Sequence, residues 1–136
     1  VVGKTKDKKE NLRSNLELAA EKGKSTGIIS TTSITDATPA SFTAHADTRA
    51  DQENIAAQQL AKLAADVAAG SNYNGTYFLL CENINLSAHR WNPIGSYIWQ
   101  QSGSTTVKAF GGIFDGGGHT ITGMYVDERE SGSAAR

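Results

Sequence analysis

The sequence predicts an α/β segment, residues 1–69, followed by an all-β segment, residues 70–136. Three observations predict it. Up to Ala69, apolar residues recur at helical spacing, interrupted once by a β-branched run behind a glycine. Beyond Gly70 the chain breaks into short β-rich runs ("TYFLL", "NINL", "FGGIF", "HTITGMYV") separated by Gly, Asn and Ser. Apolar content is modest, 38%, and 14 residues are glycine, which suits short elements and turns rather than a long helical bundle.

Each element has its own signal. In "ENLRSNLELAAEKG" the residues Leu12, Leu16, Ala19 and Ala20 fall on one helical face, and Gly23 suits the left-handed residue that ends a helix. "TGIISTT", residues 26–32, reads as a strand. Pro39 is expected at the first position of a second helix, with Thr38 as its cap in an extended conformation. A third helix is expected from Asp51 to Ala69, with Ala56, Leu60, Leu63, Ala64 and Val67 as its stripe and Gly70 as its stop. "DGGG", residues 115–118, carries hairpin or tight-turn chemistry. The closing "ERESGSAAR" reads as frayed or cut off.

Composition excludes several function classes. A net charge of −1 predicts no strong pull on nucleic acid or an anionic membrane. The basic start (Lys4, Lys6, Lys8, Lys9, Arg13, Lys22 and Lys24) has no interleaved aromatics for stacking and reads as a solvated face. Cys81 is the only cysteine, so no internal disulfide forms, and no Cys/His zinc spacing exists. No apolar run reaches membrane-spanning length, and no signal peptide is legible. The chain begins on Val1 and reads as a processed product or a piece of something longer.

The Gly-Lys-Ser-Thr run at residues 23–26 is not a phosphate loop. Such a loop needs a glycine where Leu18 stands, and a strand before the turn with a helix after it; here the order is reversed. The phosphate chemistry points further along. Asp36 and Thr38 are two apart, so an extended segment would aim both side chains the same way. A carboxylate beside a hydroxyl offers hard oxygen donors suited to Mg²⁺. Arg49 can grip two phosphate oxygens at once. Taken alone, each has a plainer use: a turn residue, a helix cap and a surface charge.

The spacing adds to this. "LELAAEKGKSTGIISTTSITDATPASFTAHADTR" resembles the alkaline phosphatases, metal-dependent phosphomonoesterases with an α/β core, over about residues 10–60. The resemblance implies that Asp36 and Thr38 bind Mg²⁺ and that Arg49 clamps the phosphate of a phosphate monoester. A carboxylate at position 36 also fits a Mg²⁺ preference. It further implies in-line phosphoryl transfer, with a serine activated and flanked by two zinc ions. The family's Asp-Ser-Ala nucleophile segment and its Zn²⁺ ligand segments have no match in these 136 residues, so little turnover is expected of this chain alone. His45 is expected to be a helix-end or packing residue; His89 and His119 lie in the other half. The resemblance implies an extracytoplasmic location.

The second half resembles the GLUG-type right-handed β-helix repeats of bacterial surface proteins, through Gly112, Phe114, Asp115, Gly116, Gly118, His119, Ile121 and Gly123. This implies the start of a β-helix, with Phe114 and Ile121 inward and the helix "AAQQLAKLAADVAAG" as its cap. One rung cannot bury its own core, so further rungs are expected outside this chain. Asp115 and His119 read as turn residues before metal ligands, and Trp91 and Trp99 as packing residues before a carbohydrate platform. The alternative functions are a non-enzymatic surface or adhesion module that meets cell-surface glycan, or a chimeric gene fragment. Oligomeric state is not legible.

Overall fold

The computed structural model describes residues 1–24, 26–88, 90–99 and 103–126. His89, the closing "ERESGSAAR" and the side chain of Trp99 lie outside the described residues. The chain forms two compact units, Val1–Leu60 and Ala61–Arg136, and one helix runs through the boundary.

The first unit holds α1 (Asn15–Glu21), α2 (Ala37–Ala40) and the start of α3 (Gln52–Ala69). A capping box starts α1: the Ser14 hydroxyl accepts from the Glu17 amide at 3.2 Å, and the Glu17 carboxylate accepts from the Ser14 amide at 2.7 Å. Gly23, at φ +70°, follows its end as expected. The apolar stripe of α1 is not covered, however: no residue of the helix is buried, and Leu12 just before it stays half exposed. The core is small and built from Val2, Ala40, Ala44, Ala46 and Ile55, with Ala37 packed against it. Alanine-rich packing lets backbones approach. Val2 and Ala46 accordingly form an antiparallel bridge, with N–H···O distances of 2.8 and 2.9 Å.

Two expectations are corrected here. No strand forms at residues 26–32. A strand exists only with a ladder partner, and among the described residues no backbone group of residues 26–31 makes a backbone hydrogen bond. Helix α2 also begins two residues earlier than its sequence suggests. Asp36, not Thr38, is its cap, at φ −66° and ψ 154°, and Pro39 is the third helical residue. Proline loses nothing there, because the first four amides of a helix have no intrahelical partner. Thr38 is therefore helical and exposed, and the extended Asp36–Thr38 pair does not exist.

The second unit takes the rest of α3, whose Leu63, Ala64 and Val67 are buried, and Gly70 at φ +114° ends the helix. Among the described residues six short strands follow: β1 (Tyr77–Leu79), β2 (Ile84–Asn85), β3 (Ser96–Trp99), β4 (Thr105–Lys108), β5 (Ile113–Asp115) and β6 (Ile121–Thr122). β3 and β4 pair antiparallel. β1 pairs with β5 and β2 with β6, both parallel, with Tyr77 opposite Ile113 and Ile84 opposite Ile121. "DGGG" therefore makes a tight turn and not a hairpin. Asp115 accepts from the Gly117 amide at 2.9 Å, Gly117 and Gly118 take φ +55° and +79°, and the strands on either side pair upstream. Leu80, Ile84, Leu86 and Trp91 are buried, which places Trp91 in packing. Phe114, expected inward, is 38% exposed; among the described residues its strand has a neighbour on one edge only. Ile121 is half-buried.

Among the described residues no helix is long and apolar enough to cross a membrane.

Candidate functional site

In the first unit the chain brings two of the three expected site residues together. Asp36 caps α2, and its Oδ1 accepts from the Ala37 amide at 2.8 Å. The same oxygen accepts from Arg49 Nη2, thirteen residues on, in a charge-assisted ion pair. The third residue, Thr38, sits in the body of α2; it is exposed, and its carbonyl accepts from Ser41 Oγ at 2.7 Å.

Three glutamines of α3 hold the loops that carry this pair. Gln58 grips the backbone of His45 on both sides, accepting from its amide at 2.9 Å and donating to its carbonyl at 2.9 Å. This fixes the chain four residues before Arg49. Gln52 accepts from the hydroxyl of buried Thr35 at 3.1 Å, immediately before Asp36. Gln59 donates to the Ile34 carbonyl at 3.0 Å and to Thr43 Oγ1 at 2.9 Å. Sequence reasoning assigned none of these residues. Their only signal was polarity on a helix otherwise rich in alanine and leucine.

Asp36 is held ionised. The hydrogen bond from the Ala37 amide lowers its pKa most; desolvation opposes it, by more than either the charge or the hydrogen bond of Arg49 alone, and those two lower it further. Both side chains reach solvent, Asp36 at 33% and Arg49 at 67% exposure, so the pair is a surface feature. A guanidinium carries five N–H donors, and Asp36 engages one of its nitrogens, so the group keeps donors for a second anion.

His45 serves a different purpose. Its Nδ1 lies 2.7 Å from the Gly3 carbonyl, which can only accept, so Nδ1 carries the proton. Its Nε2 faces Glu17 at 3.5 Å. The imidazole thus joins the amino-terminal segment to α1. Gly3 is required at this crossing: at φ +56° a Cβ would stand 2.5 Å from the Ala44 carbonyl and 2.7 Å from His45 Nδ1. His45 is a packing residue, as its sequence context implied.

Among the described residues, no three His, Cys, Asp or Glu side chains gather closely enough to hold a metal ion. Asp36 and Thr38 match Mg²⁺ in donor kind, and Asp36 is ionised as a ligand must be. They fall short in number, and Asp36 Oδ1 is already shared by two donors.

The alkaline phosphatase family pattern matches residues 1–73, more than half of the chain and wider than the motif stretch that suggested it. Alkaline phosphatase 3 of Bacillus subtilis (strain 168) is 54% identical over 41 residues, which are 30% of this chain and 9% of that protein. An alkaline phosphatase of Schizosaccharomyces pombe is 56% identical over 45 residues, 33% of this chain and 8% of that protein. The chain thus aligns with less than a tenth of the length of either relative. No solved structure matches it. With the Asp36 cap, the Arg49 ion pair and the glutamines that position them all inside the matched span, this chain belongs to the alkaline phosphatase family.

Proposed function

We propose that residues 1–69 are part of a metal-dependent phosphate monoester hydrolase, supplying Arg49 as a phosphate clamp and Asp36 with Thr38 as a Mg²⁺ half-site. One observation carries this reading: the ionised Asp36–Arg49 pair within a segment that matches the family. Other segments would supply the nucleophilic serine and the Zn²⁺ ligands, and Mg²⁺ or Zn²⁺ would contribute Lewis-acid charge next to the phosphate. An extracytoplasmic location belongs to the same proposal. The test is NMR titration of the chain with inorganic phosphate and, separately, with Mg²⁺. Phosphate should shift the Arg49 side-chain resonance in wild type and not bind to Arg49→Ala. Mg²⁺ should shift Asp36 and Thr38, and Asp36→Asn should abolish that response. Phosphate binding undiminished in Arg49→Ala would overturn the assignment, as would efficient monoester turnover by these 136 residues.

A second reading concerns residues 70–136 and is favoured by one specific feature. The two parallel ladders join strands 36 and 37 residues apart, Tyr77 with Ile113 and Ile84 with Ile121, a near-constant repeat of the kind stacked coils use. This supports the start of a β-helix of GLUG type, serving as a non-enzymatic surface module. Binding to cell-wall glycan that survives both Asp36→Asn and Arg49→Ala would support it; loss of that binding in either variant would contradict it.

A further inference from the structure

Asn74 is the one asparagine of this chain that precedes a glycine. The two form the middle of a tight turn, closed by the Thr76 amide on the Tyr73 carbonyl at 3.0 Å, with Gly75 at φ +75°. Both are exposed. Nothing lies within 4 Å of the place where a Cβ on Gly75 would stand, so the Gly75 amide is unshielded. Among the described residues that amide donates to no partner, and the Asn74 side chain makes no hydrogen bond. Its neighbours are engaged. Asn72 Oδ1 accepts from the Asn74 amide at 3.1 Å, Asn83 Oδ1 from the Thr120 amide at 2.9 Å, and Asn85 Oδ1 from the Ser87 amide at 2.9 Å. Asn92 precedes Pro93, whose nitrogen bears no hydrogen.

We propose that Asn74 is a covalent modification site, converted by water alone into aspartate and isoaspartate. The Gly75 amide nitrogen gives its proton to solvent base and attacks Asn74 Cγ, two groups that the chain itself holds close together. An N–Cγ bond forms, the Cγ–Nδ2 bond breaks, and the nitrogen leaves with a proton as ammonia. Water then opens the resulting cyclic imide at either carbonyl. One water is consumed and one ammonia released, with no change of oxidation state. Opening at one carbonyl leaves aspartate. Opening at the other routes the backbone through the former side chain and adds a carbon to the turn. That turn is bracketed by the bonds that begin the β1–β5 ladder, from the Gly111 amide to the Asn72 carbonyl at 2.6 Å and from the Ile113 amide to the Thr76 carbonyl at 2.9 Å. An extra backbone atom between Asn72 and Thr76 spoils their common spacing, so isoaspartate loosens the start of this ladder. Aspartate adds a charge but keeps the backbone, and its exposed carboxylate stays in water.

Ageing the whole chain in mildly alkaline buffer tests this, with peptide mapping by mass spectrometry and enzymatic methylation of isoaspartate as readouts. Both products should map to Asn74, form faster as pH rises, and take up labelled oxygen from heavy water. Asn74→Gln should lose the isoaspartate signal. In the converted chain the Gly111 and Ile113 amides should exchange with solvent roughly two- to tenfold faster, as expected when a bond of ordinary strength is lost. Asn74→Asp carries the charge without the added carbon, and its amides should exchange like those of the fresh wild type. An Asn74 that persists in the folded chain while it converts in urea would overturn the proposal, as would conversion that maps to another asparagine. Unchanged exchange at Gly111 and Ile113 after conversion, or equal acceleration in Asn74→Asp, would overturn the link to the ladder.

Discussion

Gln58→Ala tests how the Arg49 loop is held. The Gln58 side chain makes two 2.9 Å hydrogen bonds to the His45 backbone, accepting from its amide and donating to its carbonyl. A third contact, from Nε2 to Asn54 Oδ1, is 3.2 Å long. All three are partly buried, so water replaces them poorly. At about 0.5–1.5 kcal/mol net for each of the two shorter bonds, truncation should cost the first unit about 1–3 kcal/mol. For a unit of this size each kcal/mol lowers the midpoint by roughly 4–8 °C, so thermal unfolding should fall by roughly 4–24 °C. Gln58→Glu keeps the acceptor and loses the donor, which sets a carboxylate against the His45 carbonyl, and should be no milder. Circular dichroism melts of the three chains, with the His45 amide followed by NMR, make the measurement. If Gln58→Ala melts with wild type while its His45 amide stays put, then Gln58 does not position this loop.

Three other outcomes follow from the packing and the ionisations. Ile55, with no exposure at the centre of the small core, should cost about 2–5 kcal/mol on substitution by alanine in urea unfolding. In acid, Glu17 should contribute to unfolding. Burial opposes its charge, but the Ser14 amide and hydroxyl and the charge of His45 together lower its pKa below the ordinary 4.5. The folded form therefore binds fewer protons, and the stability is present above pH 4.5 and lost as pH falls through the folded value. Glu17→Gln should flatten the stability profile in that range. In base the sign reverses. Tyr73 is pushed up to about 12 by burial, and then by its hydrogen bond to Asp66 and that residue's charge. Its contribution is present below pH 10 and lost as pH rises through 12, and Tyr73→Phe should remove that loss from an alkaline unfolding series.

Local signals carried part of this architecture in plain view. The stripe Ala56, Leu60, Leu63, Ala64 and Val67 marked α3 because helical spacing is a local property, and all five are buried. Pairing was less legible because it is not local. "GIISTT" has every composition cue of a strand and, among the described residues, no neighbour to pair with. "DGGG" between two β-rich runs signals a hairpin, yet β5 and β6 each found a partner more than thirty residues upstream. The cap of α2 was ambiguous for a different reason. Asp36 and Thr38 are both good caps, and a proline tolerated anywhere in the first turn does not choose between them. The meeting of Asp36 with Arg49 was foreseeable from the motif spacing; the glutamine clamps were not, since an amide's partner depends on what tertiary packing brings within reach.

The account rests on Arg49 lying against an ionised Asp36 and remaining able to hold phosphate. A ¹³C NMR titration of the Asp36 carboxyl tests both at once, in wild type, in wild type with inorganic phosphate, and in Arg49→Ala. Wild type should titrate below the ordinary aspartate range, and Arg49→Ala should titrate higher, though still lowered by the Ala37 amide. Phosphate should move the wild-type midpoint toward that of the variant, as an anion on the spare guanidinium donors offsets part of the charge that Arg49 presents to Asp36. A single midpoint common to all three samples would contradict the account.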